Sequence, residues 1–216
     1  DLWGFGSGAA VPHRPADAQI AQALALSGQE RVIAIDGDRL QKSVDGAGIY
    51  LAAIGKGHGV DRVADVLSSF GLNDFMVEIG GDLYASGRNP EGLPWQIGIE
   101  SPVAGDRNLH SVAHLSGLGM ATSGDYRNFF EDGATRYSHI IDPATGRPIL
   151  HSTVSATVLT ENAMLADAWA TAMLVLGRER GLEIAEAQGL AVMFIDREPG
   201  TGFTSAASSH YTALQA

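Results

Sequence analysis

The sequence contains no cysteine, and its 14 lysine and arginine residues are outnumbered by 25 aspartate and glutamate residues. The lack of cysteine excludes disulfides, thiolate metal sites and a cysteine nucleophile, and it is compatible with both the cytoplasm and the bacterial periplasm. The formal net charge of −11 argues against a nucleic-acid-binding protein, because contacts to phosphates need a basic surface. A nucleotide ligand stays compatible with this charge, since a divalent cation can supply the positive charge.

Long apolar runs and standard phosphate-binding loops are also missing. No stretch of about 18 apolar residues occurs, so the sequence predicts no membrane-spanning helix. Gly55-Lys56-Gly57 departs from the Walker pattern, because glycine follows the lysine and no glycine lies five positions before Gly55. The opening Gly4-Phe5-Gly6-Ser7-Gly8 has no preceding strand and fails as a dinucleotide fingerprint. Since the chain begins at Asp1 without a secretory apolar segment, we expect it to start inside a longer protein.

The residues that are present predict a globular α+β protein. Hydrophobic residues make up 45% of the chain and charged residues 18%, which is an ordinary globular balance. The patterns predict a helix between Pro15 and Gly28, helices at 58–70, 161–176 and 179–187, and strands at 31–36, 75–79, 95–99, 111–115, 153–159 and 190–195. The second helix has an apolar stripe of Val60, Val63, Leu67 and Phe70, followed by Gly71 as a left-handed cap. No repeat or linker interrupts this order, so we expect one domain over 1–216 with a mixed or antiparallel sheet and packed helices.

The helix predicted at 161–176 carries an unusual pair of oxygen-bearing side chains. We expect Thr160 to be its N-cap and Gly177 to end it. Asp167 and Thr171 are four residues apart and therefore lie on the same helix face. A carboxylate and a hydroxyl on an otherwise apolar helix suit a hard cation that shares its oxygen ligands with phosphates. Alternatively, Thr171 bonds back to its own helix and Asp167 is solvated or paired with an arginine.

A second group of polar residues occurs at 137–148, where a strand is predicted to end near His139 and to break at Asp142-Pro143. Histidine is a reasonable general acid or base, because its pKa lies near neutrality. Thr145-Gly146 is predicted to close the following turn. A structural role is equally open for His139, and for Asp142 the role of turn former is favoured, since aspartate often bonds its own backbone two residues on.

Three further stretches could approach a ligand. Ser123-Gly124-Asp125 is a turn sequence beside Tyr126, Phe129 and Phe130, whose rings could stack on a planar group or fill the core. Gly80-Gly81-Asp82 follows a predicted strand and would let the backbone approach a ligand closely. Gly55-Lys56-Gly57 precedes the helix predicted from His58, where free amides and the helix dipole favour phosphate.

Taken together, these blocks resemble the FAD:protein FMN transferase family, the ApbE-type flavin-trafficking proteins. The resemblance is carried, in the family's order, by residues 56–87 (KGHGVDRVADVLSSFGLNDFMVEIGGDLYASG), 121–149 (ATSGDYRNFFEDGATRYSHIIDPATGRPI) and 164–177 (MLADAWATAMLVLG). The opening Leu2-Trp3-Gly4-Phe5-Gly6 also resembles a segment that family members carry well inside their sequences. Three long blocks in order are much more specific than any one of them.

The resemblance implies a tunnelling-fold-like α+β domain that holds FAD in a cleft, with Mg²⁺ at the pyrophosphate. It assigns Mg²⁺ to Asp167, Thr171 and a backbone carbonyl near Ala53, and it assigns transfer to His139 and Asp142 of the family's His-x-x-Asp-Pro block. The positions expected to contact the flavin nucleotide are Lys56, Gly80, Gly81, Asp82, Ser123, Gly124, Asp125, Tyr126, His139 and Thr145.

The implied activity is Mg²⁺-dependent cleavage of FAD, with FMN attached through a phosphoester bond to a threonine or serine of an acceptor flavoprotein and AMP released. The implied partner is a subunit of a membrane redox complex, and no nucleic acid is expected. The implied location is the periplasm or another exported site, with peripheral membrane association possible through a leader outside this chain. A Mg²⁺-dependent FAD pyrophosphatase and a non-catalytic flavin carrier stay open as alternatives.

Two departures from the family pattern affect these expectations. Family members carry a substantial segment before the Trp-Gly-Phe-Gly region, which is expected to contribute strands and part of the flavin cleft. In addition, Tyr50-Leu51-Ala52 stands where the family tends to have Asp-Leu-Gly ahead of Lys-Gly.

Overall fold

A computed structural model describes residues 1–6, 11–103, 108–133, 135–200 and 202–216. Ser7 and Gly8 of the glycine-rich opening lie outside this description. The chain divides into two compact units, one formed by Asp1–Tyr50 with Asn128–Leu150 and the other by Leu51–Arg127 with His151–Ala216. The expectation of a single domain over 1–216 stays a prediction, and each unit is described by itself.

The first unit consists of short elements: helices α1 (Asp17–Ala25) and α2 (Gln29–Val32) and the strands β1 (Ile33–Asp36), β2 (Arg39–Lys42), β8 (Phe129–Asp132), β9 (Thr135–Ser138), β10 (Ile141–Asp142) and β11 (Arg147–Pro148). The strands form three antiparallel hairpins, β1–β2, β8–β9 and β10–β11. Aromatic rings from the chain opening pack on the second hairpin. Trp3 lies 5.5 Å from Tyr137, and Phe5 lies 5.7 Å from Phe130, between ring centroids.

The second unit contains helices α3 (Gly55–Ser69), α4 (Ala163–Gln188) and α5 (Ser209–Leu214) and the strands β3 (Phe75–Ile79), β4 (Asp82–Ser86), β5 (Trp95–Glu100), β6 (Leu109–Leu115), β7 (Leu118–Gly124), β12 (Thr153–Thr160), β13 (Ala191–Arg197) and β14 (Phe203–Ala207). In the described residues, six of these strands form one antiparallel sheet in the order β14-β13-β12-β7-β4-β3. β5 and β6 form a separate hairpin. This architecture confirms the predicted α+β class with an antiparallel sheet and packed helices.

The core of the second unit forms around β12, which is buried along its whole length. Its run of threonine and valine suits a central strand, since β-branched side chains pack well on a pleated surface. A cluster of buried apolar side chains joins it to the neighbouring strands, to the β5–β6 hairpin and to α5, and it includes Ile99, Leu115, Met120, Val154, Leu159, Ile195 and Tyr211. Burial of each large side chain of this kind contributes about 1.5–3 kcal/mol.

α3 and α4 pack against each other through very small residues. An added Cβ at Gly57 would lie 2.3 Å from the carbonyl oxygen of Ala163, so only glycine fits there. Asp61, one turn further along α3, binds the first turn of α4. Its Oδ1 accepts a hydrogen bond of 2.8 Å from Ala163 N, and its Oδ2 accepts one of 3.0 Å from Met164 N. α3 therefore contacts α4 over two successive turns of each helix.

Most of the predicted elements are present, and the differences have local causes. The helix predicted from His58 begins at Gly55, and its buried residues are Gly57, Val60 and Ala64, so Val60 of the predicted stripe is confirmed as buried. The prediction was wrong for Val63 and Phe70, which are 42% and 78% exposed, because the contact with α4 uses small residues instead of large ones.

The helix that carries Asp167 also differs from the prediction at its start. Thr160 ends β12, and the N-cap is Asn162, whose side chain accepts a hydrogen bond of 2.8 Å from Leu165 N. The predicted break at Gly177 is confirmed, since this residue has φ 74° and ψ 169° within α4. The strand predicted at 31–36 is shorter, because α2 extends to Val32. No helix in the described ranges has the length and apolar character needed to cross a membrane.

Candidate active site

In the second unit, α3, β4 and α4 bring together three charged side chains, Lys56, Asp82 and Asp167, which we call the charged cluster. The Lys56 ammonium bonds the Asp82 carboxylate directly and lies 3.5 Å from Asp167 Oδ1. Asp82 and Asp167 are only 2% and 3% exposed, whereas the Lys56 side chain is 45% exposed. Two buried carboxylates thus share one cation that is accessible from solvent.

Burial raises the pKa of Asp82 to about 6, even though the neighbouring Lys56 acts in the opposite direction, and the negative charge of Asp167 adds to the rise. Desolvation disfavours the charged form of a carboxyl group, and a second carboxylate nearby does the same. The cluster is therefore short of positive charge. An additional cation would stabilise both carboxylates in their ionised form.

Asp167 and Thr171 lie one turn apart on α4, as predicted, and neither makes the contact proposed in the structural alternative. Asp167 Oδ2 accepts a hydrogen bond of 3.2 Å from Gly57 N, instead of being solvated or paired with an arginine. The Thr171 hydroxyl lies 3.2 Å from the Ser123 hydroxyl of β7, instead of bonding back to its own helix. The carboxylate and hydroxyl oxygens are both fixed by neighbouring elements of this unit.

These oxygens fit a hard cation such as Mg²⁺ that takes its other ligands from a substrate. Within the described ranges, no three His, Asp or Glu side chains converge to hold a metal ion by themselves. Mg²⁺ is commonly bound by one or two carboxylates together with substrate phosphates, so a small protein contribution is the expected one. Ala53, a partly exposed residue, lies in the turn just before α3, and its carbonyl as a ligand stays a prediction.

The glycines at 55–57 and 80–81, which were predicted to approach a phosphate or a ligand, have structural roles. Gly55-Lys56-Gly57 forms the first turn of α3, and the Gly57 amide is used by Asp167. Gly80 and Gly81 form the two-residue turn between β3 and β4, with φ of 60° and 95°. Such a hairpin turn favours glycine at both positions, because both have positive φ. Close approach of a ligand to Gly80 and Gly81 stays a prediction.

The stretch 123–126 ends β7 and turns into the following loop. Asp125 and Tyr126 are 7% and 8% exposed, and burial raises the pKa of Tyr126. Arg197 lies 3.9 Å from Asp125 Oδ1, and the Tyr126 ring covers Gly124, where an added Cβ would lie 2.4 Å from the ring. Tyr126 therefore fills interior space, as the core alternative proposed, while Ser123 is tied to Thr171.

His139, Asp142 and Thr145 belong to the first unit, where they form a second group that we call the histidine turn (residues 139–147). His139 follows β9, and its Nδ1 lies 3.0 Å from the carbonyl oxygen of Asn128. A carbonyl only accepts, so Nδ1 carries the proton, and in the neutral ring Nε2 is the nitrogen that can accept one. Phe5 approaches the imidazole edge-on at 6.3 Å between ring centroids.

Asp142 has the turn-forming role that the sequence favoured. Its Oδ1 accepts a hydrogen bond of 2.8 Å from Ala144 N, and its Oδ2 accepts one of 3.1 Å from the Thr145 hydroxyl. The Gly146 amide closes the turn by donating to the Asp142 carbonyl at 2.8 Å. Asp142 and Thr145 thus shape the turn that follows His139, and their roles in transfer and flavin binding stay predictions.

Two contributors to the site were missed in the sequence. Gly57 matters as the close contact between α3 and α4, and Asp61 matters as the acceptor for the first amides of α4. Neither has a local signal, since a glycine and an aspartate within a helix are equally compatible with an exposed face. Their partners lie more than a hundred residues away in the chain, at 163 and 164.

The antiparallel sheet of the second unit, with α3 and α4 packed together and the charged cluster formed by α3, β4 and α4, places the protein in the α+β class. The chain belongs to the ApbE family, whose model matches residues 1–194. It is similar to the FAD:protein FMN transferase of Vibrio cholerae, with 44% identity over 211 residues that cover 98% of this chain and 63% of that protein. It is 42% identical over 219 residues to the Haemophilus influenzae protein of the same name, covering 99% of this chain and 63% of that one.

Solved structures show the same fold. The crystal structure of the flavinyl transferase ApbE of Pseudomonas stutzeri in its apo form matches with a TM-score of 0.88 at 42% identity, over 99% of this chain and 66% of that one. The ApbE protein of Thermotoga maritima matches with a TM-score of 0.85 at 29% identity, over 100% of this chain and 69% of that one. The chain spans somewhat less than two thirds of the length of the two curated relatives, 63% of each.

Proposed function

We propose that this protein is a Mg²⁺-dependent FAD:protein FMN transferase. The observation that carries the proposal is the charged cluster, in which two buried carboxylates and one accessible ammonium meet in a chain of the ApbE family. The relatives named above, at 42–44% identity, are FAD:protein FMN transferases. A pyrophosphate and a hard cation together supply the charges that such a cluster can bind.

In this proposal, the residues of the second unit bind the pyrophosphate of FAD. The exposed Lys56 ammonium would contact the phosphate oxygens, while Asp167 and Thr171, with the Ala53 carbonyl, would hold Mg²⁺. The bound Mg²⁺ would polarise the pyrophosphate and neutralise the charge that develops on the leaving AMP. Gly80, Gly81, Ser123 and Gly124 line the nucleotide.

The reaction is the displacement of AMP by an acceptor hydroxyl. The oxygen of a serine or threonine on the acceptor forms a bond to the FMN phosphorus, and the bond from that phosphorus to the bridging oxygen breaks, so AMP leaves with the bridging oxygen. We propose that Nε2 of His139 accepts the proton of the attacking hydroxyl, because Nδ1 is hydrogen-bonded to the Asn128 carbonyl. Asp142 and Thr145 act by shaping the turn that orients this imidazole.

The acceptor class and the cellular location belong to the same proposal. We propose that the acceptor is a flavoprotein subunit of a membrane redox complex and that the protein works in the periplasm or another exported site. The support is the family membership together with a cysteine-free sequence, which an oxidising compartment tolerates.

Mass spectrometry of a defined mixture tests the proposal. The chain is incubated with FAD, Mg²⁺ and a peptide that carries an acceptor threonine, with EDTA in a parallel sample. We expect the peptide to gain the mass of FMN less one water, with AMP in equal amount, and we expect EDTA to abolish both. FMN and AMP without labelled peptide would support a pyrophosphatase instead, and intact bound FAD would support a flavin carrier.

A further inference from the structure

Asp61 on α3 binds the start of α4 although α4 already has a cap of its own. The Asn162 side chain accepts the hydrogen bond from Leu165 N, as an ordinary N-cap does. The two oxygens of Asp61 take the remaining amides of the first turn, at 2.8 Å from Ala163 N and 3.0 Å from Met164 N. A carboxylate from another helix therefore completes the capping of α4 and adds a favourable charge at the positive end of its dipole.

The same two helices carry the charged cluster. Lys56 and Gly57 lie in the first turn of α3, and the Gly57 amide donates to Asp167 Oδ2 at 3.2 Å. Asp61 lies one turn after Gly57, and Asp167 lies one turn after Ala163. The bonds from Asp61 and the bond to Asp167 are thus successive ties between the same two faces, about 5–6 Å apart along the helices.

The packing between these ties is made mostly by small side chains. The buried residues of α3 are Gly57, Val60 and Ala64, and those of α4 include Ala163, Ala166 and Ala170. Such small side chains form shallow ridges, so close packing alone sets the helix register weakly. Directional hydrogen bonds therefore add to the contacts of α4 with β7 and β12 in fixing how far α4 stands along α3.

We infer that Asp61 is a positioning residue for the cation site. By holding both first amides of α4, it fixes the register in which the Asp167 carboxylate meets the Gly57 amide and the Lys56 ammonium. The inference rests on the proposed function for the identity of the cation, whereas the tie between the helices is independent of it. Asp61 acts through the position of Asp167 and needs no contact with the substrate.

The test compares two variants that each remove one of the side chains capping α4. Asp61→Ala removes the tie between α3 and α4, and Asn162→Ala removes only the helix's own cap. Both variants should lose about 1 kcal/mol of unfolding free energy, since each removes capping of the same turn. Mg²⁺ affinity, measured by calorimetry with the metal and FAD, should fall about 10-fold or more in Asp61→Ala, as for residues that orient a ligand. In Asn162→Ala the Mg²⁺ affinity should stay within about twofold of the wild-type value.

A second readout is independent of metal binding. Hydrogen exchange of the Gly57 amide reports on its bond to Asp167, and we expect it to accelerate in Asp61→Ala and to stay unchanged in Asn162→Ala. Asp65→Ala is a matched control, because Asp65 lies on α3 with a side chain 64% exposed and, among the described residues, pairs with Arg62. It should leave both readouts unchanged.

The outcomes separate this inference from the proposed function. Equal changes of Gly57 exchange in the two cap variants, or no change in Asp61→Ala, would overturn the positioning role. If the wild-type chain binds no Mg²⁺ with FAD, the proposed function loses its metal, and the Gly57 amide still decides whether Asp61 sets the register. Asp61→Asn should give an intermediate result, because its single amide oxygen can accept for only one of the two α4 amides.

Discussion

The charged cluster and the histidine turn hold their polar groups in opposite ways. In the cluster, Asp82 and Asp167 are almost fully buried and are fixed by regular elements of the large sheet unit. In the turn, His139 and Asp142 are partly exposed; His139 follows the four-residue strand β9, and Asp142 is the last residue of the two-residue strand β10. The cluster has two carboxylates for one ammonium and lies between regular elements. The turn instead carries the His139 imidazole beside short hairpins.

This contrast indicates that the charged cluster and the histidine turn have different roles in the proposed reaction. A site that binds a pyrophosphate with a cation needs its oxygens fixed before the ligand arrives, because the charge interactions depend steeply on distance. A general base must instead meet a hydroxyl that arrives on another protein. We therefore expect substitutions in the cluster to act on binding of metal and FAD, and substitutions in the turn to act on the rate of transfer.

The largest effect is expected for His139→Ala. Loss of a general base typically costs about 10²–10⁴ in rate, and FAD binding should change much less. Single-turnover transfer at saturating FAD measures the first quantity, and titration of FAD fluorescence measures the second. His13→Ala is a matched control, because the exposed His13 ring also places Nδ1 near a backbone carbonyl, that of Val11 at 3.2 Å. Equal losses in rate and in FAD affinity for His139→Ala would assign this residue to binding.

Asp167→Ala should come next, with a loss of Mg²⁺ affinity of roughly 100-fold or more, since even residues behind a metal ligand cost about 10–100-fold. The fold should persist, because alanine is favourable in a helix. Calorimetry with Mg²⁺ and FAD measures the affinity, and circular dichroism checks the fold. Asp196→Asn changes another buried aspartate of the same unit, one paired with Arg178 at 3.0 Å, and it should leave Mg²⁺ affinity unchanged. Unfolding of Asp167→Ala would show that this carboxylate is structural.

Gly57→Ala should destabilise the second unit by about 2–3 kcal/mol, because the new methyl group meets backbone atoms of Ala163 and Met164 that cannot turn away. Urea unfolding measures this change. Gly55→Ala in the same helical turn has open space around its Cβ, so it should be neutral or slightly stabilising. A Gly57→Ala protein as stable as the wild type would mean that the two helices can separate without cost, contrary to a rigid cluster.

The smallest effect concerns pH. The folded protein holds a proton on Asp82 up to about pH 6, whereas the unfolded chain releases it near the ordinary value of 3.8. Stability in EDTA should therefore fall as pH rises between these values, by roughly 1–2 kcal/mol. Urea unfolding at about pH 4.5 and about pH 7 measures it, and Asp82→Asn should remove this contribution. An identical pH dependence in the variant would mean that Asp82 is not the group responsible.

Local patterns predicted much of this fold and part of the site. The strands at 75–79 and 153–159 and the break at Gly177 follow from apolar runs and from glycine, which are features of neighbouring residues. The pairing of Asp167 with Thr171 on one helix face follows from helix geometry alone. Helix ends were less predictable. Thr160 and Asn162 are both good capping residues, and only the length of β12 decides between them.

Long-range contacts could not be predicted in the same way. Lys56, Asp82 and Asp167 come from α3, β4 and α4, and they meet because the sheet order places β4 near α3 and α4. The exposure of Val63 and Phe70 likewise depends on a helix contact made through Gly57 and Ala64, which residue hydrophobicity does not reveal. The resemblance to the family named most site positions, but the roles of Gly57 and Asp61 needed the structure.

The central claim, that Asp167 holds a cation at the pyrophosphate of FAD, is tested most directly by phosphorus NMR with Mn²⁺ in place of Mg²⁺. A paramagnetic ion broadens the phosphorus signals of a ligand bound beside it. We expect the wild-type chain with FAD and substoichiometric Mn²⁺ to broaden both pyrophosphate resonances well beyond a protein-free mixture, and Asp167→Ala to remove the additional broadening. Equal broadening in the two proteins, or none beyond the protein-free mixture, would contradict the claim.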